Sequence, residues 1–124
     1  MSEPPARVTP DTMADTAPIE GFLCYRLGVG TVRAARMNPK ARNPAYHLII
    51  DFGPFGVRES SAQITERYDP EDLIGRQVVA VLNLPPRWVA GVRSEVLVLG
   101  AMLSASEVVL LSLDTAVPDG TVIG

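Results

Sequence analysis

Between Asn83 and Glu95 the chain carries an amide, a guanidinium and an indole in close succession: Asn83-Leu84-Pro85-Pro86-Arg87-Trp88, followed by Ser94-Glu95. An Asn side chain offers a donor and an acceptor to a base edge or ribose, and an Arg pairs with phosphate. Trp88 has a flat apolar face on which a base can stack or an apolar peptide side chain can rest. The same residues also have a purely structural use. Pro85-Pro86 forces a turn, Asn83 can bond to backbone, and Trp88 can plug a barrel end or a dimer seam.

A second group is basic. From Arg26 to Arg42 the chain holds Arg26, Arg33, Arg36, Lys40 and Arg42 with no acid among them. Set on one surface, Arg33, Arg36, Lys40 and Arg42 would track an RNA backbone, with affinity falling steeply as salt rises; the structural reading is a solvated loop. A third group is Ser60, Ser61 and Gln63, able to bond a peptide backbone or a sugar hydroxyl, with Ser60 better suited to satisfying a strand end.

Catalysis is not indicated. A serine nucleophile needs a base within reach, and His47, the single histidine, lies mid-strand between apolar residues. Glu95 and Asp51 are isolated acids, and no HxxxH motif, Gly-rich phosphate loop or Cys/His cluster is present. Cys24 is the single cysteine, which excludes an intrachain disulfide and a thiolate cage. No metal and no cofactor is expected, and the chain reads as a binding protein.

These groups must be positioned by one domain, since 124 residues suffice for one core and not two. Residues 1–20 are rich in Pro, Thr, Asp and Ala without apolar periodicity, and are expected to form a disordered tail preceding a domain over 21–124. Glu3, Asp11, Asp15 and Glu20 against Arg7 account for the net charge of −3; the remainder is neutral, with ten bases and ten acids. That balance lacks the strong excess of avid nucleic-acid binders, although it leaves room for a basic face.

Within the domain the pattern is β. Strands are expected at Val29–Ala35, Ala45–Phe52, Gln77–Leu84, Ser94–Leu99 and Val108–Leu113, with Val57–Glu66 either strand or irregular. In the second, Tyr46, Leu48, Ile50 and Phe52 share one face, with His47 and Asp51 on the other. Asn38 to Pro44 is a turn-rich basic loop. Asp69-Pro70-Glu71-Asp72-Leu73-Ile74-Gly75 spells one short helix, with Asp69 as N-cap, Pro70 in the first turn and Gly75 at the close. Five to seven short strands without a βαβ rhythm predict an all-β domain. A small closed barrel, an OB-fold, fits the count, with an immunoglobulin-like sandwich as the alternative. No stretch nears the roughly 20 apolar residues of a membrane span, and the N-terminus lacks a secretory pattern, so a cytoplasmic location is expected.

From Phe22 to Gly124 the chain resembles the stand-alone tRNA-binding-domain proteins of the CsaA type, the export-related chaperone branch. The matching stretches are Lys40-Ala41-Arg42-Asn43-Pro44-Ala45-Tyr46, Ile50-Asp51-Phe52-Gly53, Ser60-Ser61-Ala62-Gln63-Ile64-Thr65, Leu73-Ile74-Gly75-Arg76-Gln77-Val78-Val79-Ala80-Val81, Asn83-Leu84-Pro85-Pro86-Arg87 and Ser94-Glu95-Val96-Leu97-Val98-Leu99-Gly100. They occur in the family's order. The resemblance implies an OB-fold (a five-stranded Greek-key barrel with one short helix and extra terminal strands), a homodimer, no cofactor, and tRNA or unfolded preproteins as partners. The same module serves as the tRNA-binding appendage of some aminoacyl-tRNA synthetases, which adds a docking role in trans as a third possibility. One departure stands out. Where the family reads Asp-x-Arg-Val-Gly, this chain reads Arg26-Leu27-Gly28-Val29-Gly30, with the acid replaced by a base and the arginine by glycine.

Overall fold

The computed structural model describes residues 16–124. The elements in chain order are α1 (Ile19–Leu23), β1 (Leu27–Met37), β2 (Tyr46–Asp51), β3 (Val57–Ala62), α2 (Pro70–Leu73), β4 (Gln77–Val81), β5 (Arg87–Val89), β6 (Val92–Ser94), β7 (Leu97–Val98), β8 (Gly100–Met102), β9 (Val108–Leu110) and β10 (Val122–Ile123). β1 organises the rest. Its first half pairs with β4, from Leu27↔Val81 to Thr31↔Gln77, and its second half with β2, from Thr31↔Asp51 to Met37↔Tyr46. A register shift between Val32 and Ala34 marks a bulge, and the bend it creates lets one strand serve both walls.

All pairings are antiparallel, in the order β3-β2-β1-β4-β7. The two ends of this sheet meet where β3 approaches the segment leading into β7. The Glu95 amide donates to Glu59 carbonyl oxygen at 2.9 Å, and the Ser60 hydroxyl donates to the Val96 carbonyl at 3.0 Å. The circuit β1-β2-β3-β7-β4-β1 is the nearly closed five-stranded OB-fold barrel, as expected. β10 lies beside the first residues of β1, pairing Leu27↔Ile123 and Gly28↔Val122.

The core follows from the period-2 pattern of β2. Tyr46, Leu48, Ile50 and Phe52 are all buried, the last three completely. Each apolar side chain of this size contributes about 1.5–3 kcal/mol by leaving water. Val32, Leu73, Val78 and Ala80 belong to the same cluster. Gly30 is required by it, because a Cβ there would lie 2.6 Å from the Phe52 ring.

Several elements differ from the sequence reading. Ser94–Leu99 is not one strand: β6 ends at Ser94 and β7 starts at Leu97, because the chain passes there from a projecting hairpin into the barrel wall. Val57–Glu66 is strand only to Ala62, and the strands beginning at Gln77 and Val108 stop at Val81 and Leu110. α2 forms as expected, with Asp69 at its N-cap and Gly75 at φ 87°, yet Asp69 makes no side-chain cap bond. The expected tail falls mostly on residues 1–15, outside the described residues. Its last two residues, Ile19 and Glu20, open α1, a helix that buries none of its residues. Among the described residues no helix is long and apolar enough to cross a membrane.

Candidate nucleic-acid interface

β5 and β6 form a hairpin outside the main sheet, with Arg87↔Ser94, Trp88↔Arg93 and Val89↔Val92 as partners. Its two-residue turn is Ala90-Gly91, at φ 48° and 84°. Two successive left-handed residues match the right-handed twist of a hairpin. Val92 is buried and anchors the hairpin, whereas Trp88 is 74% exposed. At the hairpin's base the Ser94 hydroxyl accepts from the Ser61 amide at 3.1 Å. Glu95 accepts from the Glu59 amide at 3.1 Å and pairs with Arg93 at 2.8 Å.

The β1–β2 loop, residues 38–45, approaches the hairpin tip. Asn38, 7% exposed, donates through Nδ2 to the Ala90 carbonyl at 3.2 Å and accepts the Lys40 amide on Oδ1 at 3.1 Å. Loop and hairpin thus form one rim. On one side of the hairpin is a groove of ≈ 710 Å³ whose lining includes Ser61, Gln63, Arg87, Trp88, Leu97 and Met102. On the other side is a smaller cleft of ≈ 240 Å³, lined among others by Arg36, Asn38, Lys40, His47 and Gly91.

The structure therefore brings Ser61, Gln63, Arg87 and Trp88 to one groove, and Arg36 and Lys40 to the adjoining cleft. Arg42 lies exposed in the same loop as Lys40. Arg33 is placed differently: its guanidinium is 3.3 Å from Asp51 and 3.6 Å from Asp119, so two carboxylates already neutralise it. Arg36, Lys40, Arg42 and Arg87 take part in none of the ion pairs among the described residues. Asn83 is engaged by backbone on both sides of its amide. Oδ1 accepts from the Arg26 amide at 2.7 Å and Nδ2 donates to the Cys24 carbonyl at 2.9 Å, which fastens the segment after α1 to the turn after β4. Ser94 and Glu95 are held in the barrel seam by the bonds given above. Ser60, 1% exposed, has the structural role expected of it.

His47 bridges β1, β2 and β3. Nε2 lies 2.7 Å from Glu59 Oε1, and Nδ1 lies 3.4 Å from the Arg36 guanidinium. His47 and Asn38 were not among the sequence candidates, nor were the apolar groove residues Leu97, Met102 and Val108. The signal for the hairpin was present in Val89-Ala90-Gly91-Val92, a two-residue turn ending in glycine between β-branched residues. At the departure from the family pattern, Gly28 is buried against Leu82, whose Cδ1 would lie 2.8 Å from an added Cβ. Arg26 lies just before β1, exposed, with its backbone amide donating to Asn83 and its carbonyl accepting from the Leu82 amide at 2.7 Å.

Among the described residues no group of three or more His, Cys, Asp or Glu could hold a metal ion. What the rim offers chemically is a set of uncompensated cations, an exposed indole and the polar groups of Ser61 and Gln63.

Comparison with known proteins places the chain in a family. Residues 27–122 match the family described as "Putative tRNA binding domain". The crystal structure of a chaperone CsaA from Bacillus anthracis is similar, with 54% identity, a TM-score of 0.85, and coverage of 89% of this chain and 100% of that one. A CsaA chaperone protein from Picrophilus torridus is 38% identical, with a TM-score of 0.80 and coverage of 88% and 100%. A methionine–tRNA ligase of Methanothrix thermoacetophila is 40% identical over 103 residues, which are 83% of this chain and 15% of the ligase. This chain therefore corresponds to a small part of the ligases it matches. With an OB-fold barrel, a match across nearly all of it and CsaA-type structural neighbours, the chain belongs to the tRNA-binding domain family.

Proposed function

We propose that the chain binds tRNA without catalysing a reaction, through the rim made by loop 38–45 and hairpin 87–94. The observation that carries this reading is that four cations outside the ion pairs of the described residues lie on this rim, Arg36 and Lys40 in the cleft, Arg42 in the same loop and Arg87 with the exposed Trp88 in the groove, in a domain of the tRNA-binding family. Four cations and one indole suit phosphate contact and stacking on an unpaired base. Recognition is then of the folded RNA's shape and backbone, and the site is one that a cytoplasmic protein would present to tRNA. A homodimer would present two such rims and raise the effective concentration of the second contact. The exposed Ile19, Phe22 and Leu23 of α1 supply apolar surface for that pairing.

One observation favours a second reading, capture of unfolded preprotein segments. The ≈ 710 Å³ groove is lined largely by apolar groups, including Ile64, Trp88, Leu97, Met102 and Val108, and two similar solved structures are described as chaperones. Salt separates the readings. In a titration of bulk tRNA against the purified protein, with an unfolded polypeptide as competitor, steep loss of tRNA binding with salt supports the RNA reading. Salt-tolerant capture of the polypeptide with no tRNA binding would replace it with the chaperone reading.

A further inference from the structure

The cleft behind the hairpin is separate from the groove that carries Trp88, and its chemistry is narrower. Its lining contains cationic Arg36 and Lys40, the His47 ring and Gly91, and no carboxylate. Glu59 is bonded to Nε2 of His47, while Arg36 lies at the opposite ring nitrogen, Nδ1. With Nε2–H donating to Glu59, Nδ1 is an acceptor for the guanidinium, which fixes the Arg36 head at the cleft. Lys40 borders the same cleft and lies against the hairpin tip: a Cβ on Gly91 would meet the Lys40 side chain at 3.7 Å, an ordinary contact distance.

Arg36 and Lys40 both lie on the wall made by β1 and the loop after it, the facing wall is the hairpin tip Ala90-Gly91-Val92, and the Asn38-to-Ala90 bond joins the two. No other hydrogen bond among the described residues connects loop 38–45 to hairpin 87–94. Ala90 is also the one described non-glycine residue at positive φ, so the carbonyl that Asn38 holds belongs to the most constrained point of the hairpin.

We propose that this cleft is a subsite for a single phosphate of the RNA backbone. Arg36 and Lys40 are its contacts, and Asn38 is the positioning residue that sets the distance between its walls. The assignment rests on the tRNA reading above for the source of the phosphate. Arginine supplies a planar fork and lysine a compact charge, a pairing suited to a tetrahedral oxyanion.

The test is an NMR titration of the intact protein with inorganic phosphate, ionic strength being held constant with chloride. The expected result is a saturable shift of the Lys40, Ala90 and Gly91 amides and of the His47 ring, abolished in Arg36→Ala/Lys40→Ala. Asn38→Ser keeps an oxygen for the Lys40 amide but cannot reach Ala90. It should weaken phosphate about two- to twelvefold, the worth of one hydrogen bond, while the shifts of barrel residues stay as in wild type. Shifts that are absent, or that survive removal of Arg36 and Lys40, would overturn the subsite. Unchanged affinity in Asn38→Ser would overturn the positioning role. Binding of phosphate without binding of tRNA would overturn the RNA assignment, and tRNA binding without a phosphate response would overturn the subsite alone.

Discussion

Arg33 and Arg36 are three residues apart on one strand, yet the structure predicts opposite behaviour for them in RNA binding. Arg33 is held by Asp51 and Asp119, so its charge is balanced before any ligand arrives. Among the described residues, Arg36, Lys40, Arg42 and Arg87 have no such partners. If each of the four meets one phosphate, log affinity against log salt has a slope of about −2.8 to −3.6. Affinity then falls about 50- to 150-fold between 50 and 200 mM salt. Replacing any one of the four with alanine should flatten the slope by about 0.7–0.9, and replacing all four should remove it. Arg33→Ala should leave the slope unchanged. The assay is filter binding or anisotropy with bulk tRNA at five or six salt concentrations. Flattening by Arg33→Ala equal to that of Arg36→Ala, or an unchanged slope in the fourfold variant, would refute the reasoning.

Trp88→Ala should cost about 1–3 kcal/mol of tRNA affinity, the worth of one stacked base, and leave the salt slope alone; equilibrium binding across the same salt series checks both. Ser60→Ala strands the Val96 carbonyl in the barrel seam and should destabilise the fold by about 1–3 kcal/mol, read as a lowered urea midpoint. Asn83→Ala removes both bonds that fasten residues 24 and 26 to the turn after β4; thermal melting should fall while tRNA affinity stays put, and a selective loss of affinity would return Asn83 to the binding face. Burial, helped by the negative charges of Asp69 and Glu71, pushes the Tyr46 phenol above its ordinary value of 10.0. The folded state thus prefers the neutral phenol, so this contribution is complete below pH about 10 and is lost as pH rises through the higher folded value. Urea unfolding between pH 9 and 11 should show the loss, and Tyr46→Phe should abolish that part of it.

The barrel was legible because its pattern is dictated by burial. Tyr46, Leu48, Ile50 and Phe52 alternate as a one-sided strand must, and the turn chemistry of Asp69-Pro70 and Gly75 marked α2. What was not legible depends on tertiary bonds. Ser94 and Glu95 read as ligand groups because a serine and an acid after a turn look free in sequence; only the closure of β3 against this segment shows what they bond. Arg33 looked equivalent to Arg36 because its neutralising partner Asp119 is 86 residues away. Asn38 was hidden inside a turn-rich loop, where an Asn is ordinary, and its reach to Ala90 exists only once the hairpin has folded over it. Arg87 and Trp88 stood out by residue type, whereas the hairpin that carries them, turned at Ala90-Gly91, was not among the expected elements.

The most direct test of the account uses the chain's one tryptophan. Trp88 fluorescence should be quenched on addition of tRNA, saturate with the binding isotherm measured independently, and recover as salt releases the RNA. Binding of tRNA that leaves Trp88 fluorescence unchanged would contradict the placement of RNA on this rim.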